Sequence, residues 1–114
     1  MNENLILSYF FIFIGVVEIV FAIPLIYMKV PPNRLYGFRT RETLSDKELW
    51  YKVNRYSGRD LLFSGILVSI GGLMMLLLNM EFLSSIWIGL WLVIIPLIAA
   101  TVRSYLFIRK ERSY

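Results

Sequence analysis

Apolar residues in this chain do not alternate with polar ones; they run in three long blocks. Leu5 to Met28 is a 24-residue stretch interrupted by one charge, Glu18. Leu61 to Leu78 adds 18 residues without a charge, and Phe82 to Val102 another 21, bounded by Glu81 and Arg103. Roughly 20 residues at about 1.5 Å rise cross a hydrocarbon core, so each block predicts a transmembrane helix. The second is short, with Arg59, Asp60 and Asn79 placed to reach headgroups at its ends. The expected class is an all-α membrane protein with three transmembrane helices and a short amphipathic interfacial helix. One domain over 1–114 is expected, with spans near 5–28, 61–78 and 82–102.

The polar segment 29–60 is too long for a mere connector. Pro31 and Pro32 are expected to stop the first helix. Residues 33–43 then read as an ordered loop turning at Gly37. Ser45-Asp46-Lys47-Glu48 has the form of a capping box and predicts a helix start. Beyond it Leu49, Trp50, Val53 and Tyr56 share one face, with Lys47, Lys52, Arg55 and Arg59 largely opposite. Such a helix lies at the headgroup level or leads into the second span.

Charge sets the expected orientation. Eight Lys and Arg fall in 29–60 and the other four at Arg103, Arg109, Lys110 and Arg112. With three spans these two segments share a side, and the positive-inside rule makes it cytoplasmic, leaving the N-terminus outside. The first block is not read as a cleaved signal peptide, because Met1-Asn2-Glu3-Asn4 carries no basic residue and no small-x-small site follows. Composition agrees with a membrane location: 58% of residues are apolar and 18% charged, against roughly a quarter charged in soluble domains. Without cysteine or histidine, disulfides, thiol chemistry and imidazole bases are excluded, and no cofactor or metal is expected. Four acids interleave the basic loop, which argues against direct nucleic-acid binding and for attraction to the lipid bilayer.

Glu18 falls near mid-membrane, where a charged carboxylate is costly. Equal depth counted from the loop side brings Ser69 and Leu92 to its level, and Pro96 leaves the Leu92 carbonyl without its helical donor. Glu18 therefore reads either as an interhelical pin to that carbonyl or to Ser69, or as a proton- or ligand-binding carboxylate. Gly58, Gly65, Ser69 and Gly72, with Ser57, Ser64 and Gly71 one position earlier, form a stripe suited to close helix packing. That packing lies within one chain or between copies in a homo-oligomer. Trp87 and Trp91 read as interfacial anchors.

The loop itself is distinctive: Asn33, then Gly37-Phe38-Arg39-Thr40, Thr43-Leu44, Trp50, Asn54-Arg55 and Gly58. This run resembles the signature of the SdpI family of bacterial membrane proteins, with Arg41 where the family often has proline. The resemblance implies a non-enzymatic protein that acts by binding, in toxin immunity and signal transduction. Its implied partners are a toxin peptide, or a transcriptional repressor held at the membrane. The family's namesake is longer and carries this signature in its C-terminal half, to which the present chain corresponds. The signature residues read as a clamp that either braces the loop or grips a ligand, with Arg39 foremost. Two other functions stay open: a small proton-coupled exporter using Glu18, and an accessory subunit of a larger membrane complex.

Overall fold

The computed structural model describes residues 3–112, the Arg112 side chain excepted. Met1, Asn2, Ser113 and Tyr114, on which part of the tail reading rests, lie outside the described residues. Four helices follow one another: α1 (Glu3–Ile26), α2 (Arg41–Ser45), α3 (Lys47–Leu78) and α4 (Phe82–Arg112). Of these, α1, α3 and α4 are long and apolar enough to cross a membrane.

Helix α1 ends slightly before the expected boundary, and the prolines are not what stops it. Met28 takes a left-handed conformation with φ of 58°. Its N–H bonds the Leu25 carbonyl at 3.2 Å and the Lys29 N–H bonds that of Pro24 at 2.9 Å, the double closure of a Schellman ending. Asn79 closes α3 similarly, with φ of 49° and its N–H on the Met75 carbonyl.

The capping box forms one turn earlier than expected. Thr40 caps α2: its hydroxyl accepts from the Thr43 N–H at 3.1 Å, and the Thr43 hydroxyl accepts from the Thr40 N–H at 2.8 Å. Ser45 instead ends α2, its hydroxyl donating to the Glu42 carbonyl. Asp46 caps α3 by accepting from the Leu49 N–H. The amphipathic segment is no separate interfacial helix; it runs unbroken into the second span. At 32 residues α3 is roughly 48 Å long, so about a third extends past a hydrocarbon core of about 30 Å. The last turns of α4 run beside this extension. Ile108 packs with Leu49 and Val53, Tyr56 stacks on Phe107, and the Arg103 guanidinium donates to Asp60 at 2.9 Å.

α3 is the centre of the bundle. α1 packs along it closely, α4 less so, and α1 and α4 share a smaller contact where the Phe11 ring lies against Gly89. The glycine stripe is the cause, and it is spent within the chain. A Cβ on Gly65 would lie 2.7 Å from the Gly15 carbonyl oxygen, and one on Gly72 would lie 2.8 Å from the Ile12 nitrogen. Backbones this close gain dispersion contacts that bulkier side chains would forbid. Above the stripe, Phe11, Val68 and Met75 form the other buried apolar cluster. Trp87 and Trp91 project outward from α4, more than half exposed.

Candidate binding site at the membrane face

Asparagine geometry shapes the loop from its first turn. The Asn33 carboxamide oxygen accepts from the N–H groups of Leu35 and Tyr36 at 2.8 and 2.7 Å, while its nitrogen donates to the Pro31 carbonyl. Four residues on, Gly37 holds φ of 115°, a region that side chains strongly disfavour. Space demands glycine as well, since a Cβ there would sit 2.7 Å from the Asn54 carboxamide oxygen.

Asn54, 2% exposed, grips the loop from α3. Its oxygen accepts from the Phe38 N–H at 2.6 Å, and its nitrogen reaches the carbonyls of Phe38 at 3.3 Å and Trp50 at 3.0 Å. The Thr43 hydroxyl also faces the Phe38 carbonyl. Trp50 is wholly buried, and its indole N–H donates to the Val30 carbonyl at 2.8 Å. These bonds join Phe38, Thr40, Thr43, Trp50 and Asn54 in one knot, with Gly37 packed against Asn54 and Trp50 and Asn33 ordering the turn that leads in. Phe38 anchors the knot to α4 by an edge contact with Tyr105, centroids 5.2 Å apart.

Two loop side chains finish the knot from outside. The Tyr36 hydroxyl donates to the Phe21 carbonyl of α1, and burial pushes this phenol above its ordinary pKa, keeping it a donor. The Arg39 guanidinium folds back to donate to the Arg34 carbonyl and remains exposed. Arg55 is exposed and takes no part. Gly58 belongs to the α1 contact one turn further along, against Ala22, Leu25 and Ile26.

Below the knot lies a cleft of about 420 Å³, between α1 and α4 and floored by α3. Phe21, Leu25, Leu61, Leu97 and Ala100 give it apolar walls, Ser57 and Thr101 add hydroxyls, and residues 36–38 close one end. It exists because α1 and α4 diverge on either side of α3.

Glu18 is nearly buried between α1 and α3, but neither expected partner meets it. The Ser64 hydroxyl lies 3.2 and 3.3 Å from its two oxygens and donates to them. The Leu92 carbonyl belongs to α4 at the level of Phe11 and Gly71, about two turns along α1 from Glu18. Ser69 packs against Gly15 instead, and its hydroxyl is buried without a hydrogen-bond partner. Depth counting set the level more than one turn off: Ser64 lies five residues before Ser69 on α3, and the level of Ser69 belongs to Gly15. The pointer to Ser64 was its place in the second small-residue register, with Ser57 and Gly71.

A family profile for the SdpI/YfhL protein family matches residues 29–105. The chain belongs to this family. The SdpI/YfhL segment contains the whole knot, α2, α3 and most of α4, while Glu18 on α1 lies outside it. The chain is also similar to the uncharacterised protein YfhL of Bacillus subtilis strain 168, at 42% identity over 43 residues. That match covers 38% of this chain and 39% of the relative, so it spans about two fifths of the relative's length. No solved structure matches.

Proposed function

We propose that this SdpI/YfhL protein is non-enzymatic and acts by binding, as an immunity or signalling protein whose partner is a toxin peptide or a membrane-held repressor. The carrying observation is that most of the family signature is tied into a knot that closes one end of an apolar cleft and leaves Arg39 exposed. A knot of that kind presents a shaped surface to a partner, which favours binding. In this reading the loop and C-terminus are cytoplasmic and the N-terminus is external. The chain lacks cysteine, so single cysteines at Ser45 and Glu81 test the orientation with an impermeant maleimide. Labelling of both from the same side would overturn it.

Arg39 is the exposed signature residue best placed to meet a partner. Its planar fork holds the Arg34 carbonyl and keeps further N–H groups pointing outward, which a lysine cannot reproduce. Arg39→Lys is expected to keep normal membrane levels by immunoblot. It should lower protection, or reporter induction, about tenfold, as when one charge-assisted hydrogen bond is lost. Arg34→Lys and Arg41→Lys serve as controls and should be mild. Full activity of Arg39→Lys would remove Arg39 from the binding surface.

The loosely held Glu18 favours one second reading, a proton-coupled exporter, because both its oxygens share a single hydroxyl donor. If Glu18 is a pin, Glu18→Gln should fold and function, since the amide still bonds Ser64. Under the exporter reading it folds but abolishes proton-driven efflux in proteoliposomes. Retained efflux would dismiss the exporter.

A further inference from the structure

We propose that the cleft beneath the signature knot is a specific site for an anionic phospholipid of the loop-side leaflet, with one acyl chain in the cleft and the phosphate at Arg39. This does not depend on the immunity reading, since it concerns what the site holds and not what the protein signals.

Three independent features carry it. The first is shape and lining: about 420 Å³ with predominantly apolar walls, within the usual range of about 300–1,000 Å³ for ligand pockets. α1 and α4 meet at Phe11 and Gly89 but stand apart at Phe21, Leu25, Leu97 and Ala100, so the cleft opens sideways between them, where acyl chains lie.

The second is pre-organisation. Residues 36–38, which close the cleft, are tied to all three long helices. Tyr36 bonds the Phe21 carbonyl on α1, Phe38 is held by Asn54 on α3, and its ring meets Tyr105 on α4. A closed end tied this way holds the helices apart, so the cleft need not be opened at a ligand's expense.

The third is charge. The same turn that closes the apolar cleft carries Arg34 and Arg39, both exposed, with the Arg39 guanidinium folded back over the turn onto the Arg34 carbonyl. Two other cations of this face are engaged with acids, Arg103 with Asp60 and Lys52 with Glu48 and Glu111. An apolar compartment closed by a turn that carries two exposed guanidinium groups matches an amphiphile with an anionic phosphate head. A free phosphate would leave the apolar part idle, and a neutral lipid would leave the fork idle.

The test uses the full chain in nanodiscs of phosphatidylcholine with a minor fraction of phosphatidylglycerol. Retained lipid is counted by native mass spectrometry after release. The wild type should keep one phosphatidylglycerol in excess of the bilayer ratio. Arg39→Gln should cut that excess about fivefold, the effect of one basic residue at an anionic surface. Thr101→Trp fills the cleft from its exposed α4 wall and should cut it at least as much. Leu97→Trp is the second filling variant, and unfolding melts check that each is intact. Retention in proportion to bilayer composition means annular lipid only and overturns the proposal. So does an undiminished excess in both filling variants, or equal displacement by soluble glycerol phosphate. If the filling variants lose protection while lipid retention is unselective, the cleft belongs to a peptide and the lipid assignment fails, with the binding function left standing.

Discussion

Gly65→Leu is expected to destabilise the bundle by about 3 kcal/mol, the upper end of overpacking costs. The added side chain would start 2.7 Å from the Gly15 carbonyl oxygen and 3.0 Å from the Ile19 nitrogen. Both are backbone atoms of a helix, so relief requires moving α1 as a body. Gly71→Ala is the instructive comparison: its Cβ would come 2.4 Å from a Leu92 Cδ1, the far end of a side chain that can change rotamer. Its cost should stay near 1 kcal/mol or less. Equilibrium unfolding in mixed micelles measures both. Equal, small losses would mean that α1 does not pack on this face of α3.

Asn54→Ala is expected to cost about 2 kcal/mol and to loosen the signature loop locally. The Phe38 N–H loses its acceptor at 2.6 Å; the Phe38 carbonyl keeps the Thr43 hydroxyl as a second donor. The N–H therefore dominates the cost. Asn54→Asp separates shape from hydrogen bonding. The aspartate still accepts from the N–H, but its second oxygen faces the carbonyls of Phe38 and Trp50 without a proton to offer and is buried as a charge. It should be no more stable than the alanine variant, despite matching asparagine in size. Hydrogen exchange at residues 36–40 should accelerate in both, while the exposed Arg55→Ala stays at the wild-type rate. A wild-type exchange pattern in Asn54→Ala would show that Trp50 and Thr43 hold the loop without it.

Most of the architecture was legible in the chain because lipid leaves it few options. A backbone in hydrocarbon must satisfy its own hydrogen bonds, so three long apolar blocks become three helices whatever their neighbours do. The family signature was legible for a different reason. Its residues are specialised: a glycine at positive φ, an asparagine that bonds a backbone from both ends, and a tryptophan that needs a carbonyl. They occur together only where the loop is built this way.

The errors fall where several local solutions compete. Thr40 and Ser45 both precede plausible helix starts. Both starts form, as α2 and α3: the capping box falls to Thr40 because Thr43, three residues on, can return the hydrogen bond, and at the expected start Asp46 caps in place of Ser45. Likewise, depth counted from assumed span ends drifts by a turn, because packed helices need not start and stop at one level. Glu18 meets Ser64 rather than Ser69 because Gly15, three residues away on α1, takes the position against Ser69.

The sequence by itself determined that this is a three-span helical membrane protein of the SdpI/YfhL family, since length, hydropathy and the signature are all local properties. Only the tertiary structure decided what the polar residues do. It placed α1 and α4 on opposite flanks of α3, turned the signature into a knot closing a cleft, and gave the buried acid its hydroxyl. The physical reason is that burial and hydrogen-bond partnership depend on the relative rotation of packed helices, which is set by glycine contacts summed over whole interfaces and by no single segment.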